Sequence, residues 1–173
     1  QKHAEMAIQI EGTLNNLDKE ITQYLVNIAS GTMSELESAK HTALMDSVRD
    51  IERIGDHFEN VLEFIEYKIS NKVNLTDDAR EDLINMFDLT MLILKQAVVA
   101  LETMDREEAL AVVQKENKIN AMEKRLRKKH IIRMNEGLCD ATAGIIFVDI
   151  ISDLERIGDH AVNIAEEVLD KRV

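Results

Sequence analysis

A long internal repeat limits the folds open to this chain more than any other feature of its sequence. The segment DSVRDIERIGDHFENVLE at residues 46–63 aligns without gaps with DIISDLERIGDHAVNIAE at residues 149–166, and ten of the eighteen positions are identical. About one identity would be expected by chance, so the chain contains a duplicated unit. We therefore expect a tandem architecture in which residues 1–75 form a first unit and residues 76–173 form a second.

Composition and apolar spacing predict that both units are helical. The chain has no proline, six glycines and 3% aromatic residues, and its apolar residues recur with the period of an α-helix. Capping residues, such as Ser34 with Glu37 and Asp105 with Glu108, mark the helix starts. The prediction is an all-α, antiparallel bundle whose short loops place consecutive helices side by side. The five helices are expected at about 1–29, 34–71, 77–103, 106–135 and 140–171.

The first unit has no counterpart of the predicted helix 77–103, which leads into the second unit. The chain also begins QKHAEMAIQIEG, with no initiator methionine and no signal-peptide pattern. We therefore expect the chain to be a fragment and the missing helix to precede residue 1.

Charge and cysteine content exclude several classes of protein. The 33 acidic and 21 basic side chains leave a net charge of -12, which would repel a nucleic-acid backbone. A single cysteine, Cys139, cannot form an internal disulfide, which is typical of a reduced, cytosolic protein. The longest apolar runs are interrupted by Lys95 and Asp149 and fall short of the roughly 20 residues of a bilayer span. The sequence predicts no nucleic-acid partner and no transmembrane helix.

The repeated helix carries carboxylates one helical turn apart. Glu52 precedes Asp56 by four residues, and Glu155 precedes Asp159 by the same spacing. Like charges at this spacing destabilise a helix by about 0.2–0.5 kcal/mol per pair, which bound cations would offset. Oxygen-rich sites suit Mg²⁺, Mn²⁺, Ca²⁺ or Fe³⁺, and a nearby histidine extends the preference towards iron or zinc. A solvated acidic surface is the alternative, but its presence in both copies favours a metal site.

Histidine and glycine also recur at equivalent positions of the two copies. His57 and His160 directly follow the paired aspartates, and we interpret them as surface groups or supports for ligands rather than as ligands. Gly55 and Gly158 lie within helices, where glycine costs about 1 kcal/mol relative to alanine. Close approach of a neighbouring helix is the expected reason. The basic run at residues 124–130 is interpreted as a solvated face, with docking to an anionic membrane or an acidic partner as the alternative.

The twice-used string, IERIGDH at residues 51–57 and LERIGDH at residues 154–160, resembles the signature of the PhoU family. This resemblance covers nearly the whole chain. It implies a PhoU-like tandem bundle in which acidic motifs on two helices of each unit bind iron or zinc clusters. The stretch KKHIIRMNEGLCDATAGIIFVDIISDLERIGDHAVNIAE looks like the cytosolic PhoU-like domain of bacterial sodium/phosphate cotransporters.

The metal ligands that the resemblance implies are side chains on two helices of each unit. Where the family carries a second acid on the preceding helix, this chain has an asparagine, which binds metals less well. Four neighbouring acids could substitute for it: Asp18, Asp50, Glu123 and Asp153. Iron or zinc is the expected metal, with magnesium or manganese as alternatives. The candidate residues are Glu11, Asn15, Asp50, Glu52, Asp56, Glu116, Asn120, Asp153, Glu155 and Asp159.

The resemblance implies a non-catalytic regulatory domain at the cytoplasmic face of the cell membrane, joined to the transmembrane sodium/phosphate transport domain of the same chain. Inorganic phosphate would bridge bound metals, because the chain has no Gly-rich phosphate loop, and a homodimer is a further expected assembly. The alternative is a soluble PhoU-type adaptor that inhibits a separate phosphate transporter and a sensor kinase. A ferritin-like di-metal oxidase is disfavoured, because neither Glu52 nor Glu155 has a histidine three residues later.

Overall fold

The computed structural model describes residues 2–170 as five long α-helices joined by short loops. The all-α prediction is confirmed, and the internal helix ends agree with the predicted ones to within one residue. Positions 1 and 171, which the predicted outer helices included, lie outside the described residues. The helices are α1 (Lys2–Ala29), α2 (Glu35–Ser70), α3 (Asp77–Thr103), α4 (Arg106–Asn135) and α5 (Ala141–Asp170).

Capping residues explain where the helices begin. The backbone N–H of Glu37 donates to Ser34 Oγ, and the Glu37 carboxylate accepts from the backbone N–H of Ser34, so the predicted capping box is present. The side chains of Thr76 and Asp105 accept hydrogen bonds from the first turns of α3 and α4 in the same manner. Each cap satisfies backbone donors that have no partner within the helix.

Helix α5 is the element around which the others are arranged. It packs against α2, α3 and α4, and its Phe147, Ile151, Leu154, Ile157 and Ile164 are almost completely buried. The prediction that consecutive helices lie side by side is wrong for α2 and α3, whose described backbones do not come into contact. Both pack on α5 instead, because a helix that is apolar around much of its circumference can bury several neighbours.

Helix α3 is apolar on its outer side as well as its inner side. Met86 and Ile93 are fully buried in the bundle, whereas Ile84 and Leu92 are exposed. Among the described helices, α3 alone is long and apolar enough to cross a membrane, a property that core helices also have. Length and composition alone do not overturn the sequence prediction of no transmembrane helix.

A groove of about 570 Å³ runs between α1, α2 and α3 and is lined mainly by apolar side chains, among them Leu14, Phe58 and Phe87. In the second unit, α3 covers the pair formed by α4 and α5. Within residues 2–170, α1 contacts only α2, and no helix packs across the equivalent pair of α1 and α2.

Candidate functional site

The acidic face of the second unit is formed by α4 and α5. Burial raises the pKa of Glu155, and the charges of Asp159 and Glu123 raise it further. Burial also raises the pKa of Asp159, followed by the charge of Glu116. The structure therefore brings together the predicted ligands of both helices, and their carboxylates repel one another across the interface between α4 and α5.

Two buried oxygens of this face have no hydrogen-bond partner among the described residues. They are Oδ1 of Asp159 and Oδ1 of Asn120. A buried acceptor without a donor costs about 1–3 kcal/mol, whereas a hard cation takes oxygen ligands of this kind. The donor set therefore fits a cation. Within residues 2–170, no three carboxylate, imidazole or thiol groups converge in metal-binding geometry, so a metal would have to draw α4 and α5 side chains closer together.

The equivalent face of the first unit, formed by α1 and α2, is more open. Asn15, which stands where the family has a second acid, donates a hydrogen bond to Oε1 of Glu11. Burial raises the pKa of Glu52, followed by the charges of Asp56 and Asp18. Asp56 is exposed, whereas its counterpart in the second unit is partly buried. The two faces have the same types of residue, but the second encloses them more tightly.

Two of the predicted ligands, Asp50 and Asp153, have other partners. His57 Nδ1 lies 2.8 Å from Asp153 Oδ1, and His160 Nδ1 lies 2.7 Å from Asp50 Oδ1. Each pair joins one unit to the other across the contact of α2 with α5. Because position 50 faces position 160 while position 57 faces position 153, the two helices run antiparallel about a local two-fold axis.

The two imidazoles stack near this axis. The ring centroids of His57 and His160 are 5.6 Å apart, with 23° between their planes. The amides of Asn60 and Asn163 donate to the same two aspartates, at 3.5 and 3.3 Å. The histidine side chains are only 14% and 16% exposed, so they belong to the interface between the units rather than to the surface. Sequence reasoning missed this cluster; the aspartate seven residues before each histidine was the signal for it.

The repeated glycines let neighbouring helices approach. A Cβ atom at Gly158 would lie 2.6 Å from Ile119 Cδ1 on α4, and one at Gly55 would lie 3.0 Å from Leu14 Cδ1 on α1. Both distances are shorter than ordinary contacts, so the prediction of close helix approach is confirmed. The same approach brings together the helices that carry the acids.

The basic run of α4 is partly engaged within the bundle. Arg127 donates to Glu123 at 2.6 Å, and Lys129 pairs with Asp78 and Asp82 of α3 at 3.0 Å. Arg133, which is buried, pairs with the same two aspartates. The contacts of Lys129 and Arg133 hold α3 against α4, and Arg127 also donates to Ser152 Oγ of α5 at 2.8 Å. The interpretation of the run as a merely solvated face is therefore wrong for Arg127 and Lys129.

The chain matches the model of a known protein family in two segments. The PhoU domain family matches residues 1–65 and again residues 83–168, and each match contains one of the acidic helices. Together the two matches cover most of the chain. The chain therefore belongs to the PhoU domain family.

Relatives of known name are accessory proteins of phosphate transport. A phosphate-specific transport system accessory protein, PhoU homolog 1 of Thermotoga maritima, is 27% identical over 96% of this chain and 71% of its own length. An accessory protein PhoU homolog of Streptococcus pneumoniae serotype 4 is 28% identical over 73% of this chain and 57% of its own length. The crystal structure of PhoU from Pseudomonas aeruginosa matches with a TM-score of 0.89 at 22% identity, covering 96% of this chain and 79% of that one. The fold is thus PhoU-like, and the chain spans only part of the length of these proteins.

Proposed function

We propose that this chain acts as a PhoU-type accessory protein, which regulates a separate phosphate transporter from the cytoplasm through protein contacts. The observation that carries the proposal is the twofold match to the PhoU domain, in a chain whose named relatives are phosphate-specific transport system accessory proteins. Those names favour the adaptor, which was the alternative from sequence, over a domain of a sodium/phosphate cotransporter. The names describe accessory proteins rather than enzymes, and the proposed role is therefore non-enzymatic.

Metal binding at the acidic faces is the second part of the proposal. The buried, unpartnered Oδ1 of Asp159 supports it, as do the raised pKa values of Glu155 and Glu52. A bound cation would neutralise carboxylates on two helices and draw those helices together. Iron or zinc is the proposed metal, with magnesium or manganese as alternatives. The proposed ligands are Glu116, Asn120, Glu155 and Asp159 in the second unit, and Glu11, Asn15, Glu52 and Asp56 in the first.

The link between the units gives metal binding a route to the rest of the molecule. Asp56 and Asp159 are each followed by a histidine that bonds to the other unit. A shift of either aspartate towards a cation therefore acts on a residue that holds α2 against α5. We propose that the transporter responds to the resulting arrangement of the helices.

Metal content tests the binding part directly. The purified full chain and a Glu155→Gln/Asp159→Asn variant would be incubated with iron, zinc or manganese and desalted. Their metal content would then be measured by plasma mass spectrometry. A Glu102→Gln/Asp88→Asn variant, which neutralises two exposed acids of α3, is the matched control. We expect stoichiometric metal in the wild type and the control and a clear loss in the variant. Equal metal in all three would contradict the assignment of these ligands.

Phosphate uptake tests the regulatory part. We expect cells that lack the gene to take up phosphate without the normal restraint at high phosphate, and the wild-type gene to restore that restraint. Unchanged uptake in the deleted strain would remove the proposed role, whatever metal the protein binds.

A cotransporter domain remains the second candidate, on the likeness of residues 128–166 to such domains. The gene's full coding sequence distinguishes the two. Transmembrane segments encoded in the same reading frame would favour the cotransporter, and a protein that co-purifies with a separate phosphate transporter would favour the adaptor.

A further inference from the structure

A polar pocket of about 510 Å³ lies where α2, α4 and α5 meet, beside the acidic face of the second unit. Its lining includes Arg53 from α2 and Arg156 from α5, which occupy equivalent positions of the repeat. Both arginines are exposed, and neither makes a hydrogen bond or ion pair of 4 Å or less with any described residue. Two guanidinium groups from different units therefore line one polar cavity without a hydrogen-bonded partner among the described residues. Their charges act on acids of their own helices, Arg53 on Glu52 and Arg156 on Glu155 and Asp159.

Guanidinium groups recognise tetrahedral oxyanions, since their paired N–H donors match two oxygens of a phosphate at once. The imidazoles of His57 and His160 also line the pocket, and their Nδ1 atoms are held by aspartates. Only Nε2 of each ring is left for a ligand. The donors of the pocket thus come mainly from the two arginines.

The carboxylates of the pocket decide when an anion can enter. Glu116, Asp159 and Glu166 line it together with the two arginines, so the fixed charge is negative by one unit if the histidines are neutral. An anion alone would be opposed by that charge. A divalent cation on Glu116 and Asp159 reverses its sign, because it adds two positive charges, and an oxyanion then meets a cation on one side and two arginines on the other.

A further carboxylate gives the pocket a means of selecting the anion. Glu166 accepts hydrogen bonds but cannot donate them when ionised. Hydrogen phosphate carries an O–H group that such an acceptor can bind. Sulfate and the dianion of a phosphate monoester carry none, so they would leave the carboxylate facing bare anionic oxygens.

We propose that this pocket binds inorganic hydrogen phosphate through Arg53 and Arg156, with Glu166 accepting its proton-bearing oxygen, and that it does so only when a divalent cation occupies Glu116 and Asp159. The inference rests on the metal site of the proposed function and extends it to direct phosphate sensing. The bound anion bridges α2 and α5, one helix from each unit. By linkage, phosphate must tighten metal binding by the same factor as metal tightens phosphate binding.

Manganese provides the test, because free Mn²⁺ is measured by electron paramagnetic resonance. The full chain would be titrated with Mn²⁺ alone and with inorganic phosphate, sulfate or adenosine monophosphate present. We expect phosphate to lower the apparent Kd of Mn²⁺ about fivefold or more, the lower end of typical couplings, and sulfate and the monoester to have little effect. Phosphate complexes Mn²⁺ in solution, so without the pocket it would weaken binding.

Variants assign the effect to residues. In an Arg53→Gln/Arg156→Gln variant we expect the phosphate effect to vanish while Mn²⁺ alone binds as tightly or more tightly, since nearby positive charge is removed. Arg49→Gln is the control, because Arg49 is an exposed α2 arginine that pairs with Asp46 and lies outside the pocket lining. In Glu166→Gln, we expect sulfate to act like phosphate.

Three outcomes would overturn the inference. Mn²⁺ binding that phosphate leaves unchanged or weakens would remove the phosphate site but leave the metal site intact. A phosphate effect that survives in the double arginine variant would mean that these arginines do not bind the anion. A wild-type chain that binds no Mn²⁺, iron or zinc would overturn both this inference and the metal part of the proposed function.

Discussion

His57 of the first unit stacks on His160 of the second, and each ring is hydrogen-bonded to an aspartate seven residues before the other. The duplication therefore produced a reciprocal lock, in which each copy supplies the donor for one pair and the acceptor for the other. Both pairs are largely shielded from solvent. The side chains of His57 and Asp153 are 14% and 9% exposed, and those of His160 and Asp50 are 16% and 14% exposed. Each pair is expected to add to the packing of α2 against α5.

A double-mutant cycle measures this lock. We expect His57→Gln and Asp153→Asn to be less destabilising together than the sum of the two single changes, with a coupling energy of about 0.5–3 kcal/mol. Urea unfolding of the four proteins provides the values. The exposed pair of Arg49 with Asp46, one turn apart on α2, is the control, and we expect it to couple by less than about 0.5 kcal/mol. Equal coupling in both cycles would mean that the lock contributes no more than a surface ion pair.

Neutralising the second acidic face should stabilise the protein when a chelator keeps metal away. Burial raises the pKa of Glu155 and Asp159, and a carboxyl group whose folded pKa exceeds its unfolded value costs stability at neutral pH. That cost disappears as pH falls through the folded pKa towards the unfolded value of about 4. We expect Glu155→Gln/Asp159→Asn to unfold roughly 2–4 °C above the wild type at pH 7.5, with the gap closing near pH 4.

Thermal unfolding of Glu102→Gln/Asp88→Asn, the exposed α3 control, should show no such gap. Saturating metal should reverse the order, because only the wild type gains the binding energy of the ion. A wild type more stable than the face variant in chelator would show that these carboxylates are favourably paired rather than strained.

A buried histidine should make stability depend on mild acid. His130 is fully buried and its ring stacks on Phe147 at 4.1 Å, and burial, followed by the charge of Arg133, lowers its pKa. The unfolded chain takes up a proton below about pH 6.5 that the folded chain takes up only at lower pH. The stabilisation is therefore complete above pH 6.5 and is lost as pH falls towards the folded pKa.

We expect His130→Phe to lose less stability than the wild type between pH 7.5 and pH 5.5, as measured by urea unfolding at each pH. The phenyl ring keeps the stacking surface and removes the titrating group. Parallel losses in the two proteins would place the acid sensitivity elsewhere in the chain.

The two mid-helix glycines should respond differently to alanine. In Gly158→Ala the new Cβ meets Ile119, which is fully buried, at 2.6 Å, and overpacking of this kind costs about 1–3 kcal/mol. In Gly55→Ala it meets only the end of the half-buried Leu14 side chain at 3.0 Å, and alanine gains about 1 kcal/mol in helix propensity. We expect Gly158→Ala to lower the melting temperature and Gly55→Ala to leave it unchanged or raise it. Two equal shifts would contradict the difference in packing.

Helix positions and the acidic faces could be predicted from the sequence because both depend on short-range spacing. Ser34 and Asp105 mark helix starts by their capping chemistry, and Glu155 and Asp159 share a face because they are one turn apart. Contacts between side chains of different helices were harder to predict. The repeat shows that Asp50 is equivalent to Asp153, but not that each faces a histidine of the other copy, since that depends on how α2 crosses α5.

The prediction that α2 and α3 lie side by side was wrong for a related reason. A short loop limits the distance between two helix ends but does not decide which faces meet. Here α2 and α3 both pack on the large apolar surface of α5 rather than on each other.

The central position of α5 also has a consequence for how the chain acquires its structure. Every helix that α5 contacts precedes it in the sequence, and the pairs that join it to α2 span 96 and 110 residues. During synthesis, α2, α3 and α4 therefore emerge from the ribosome with the faces that pack on α5 still uncovered, and those faces are covered only when α5 follows. Such distant contacts make folding slower than in bundles built from neighbours, and leave the nascent chain dependent on protection from aggregation until α5 arrives.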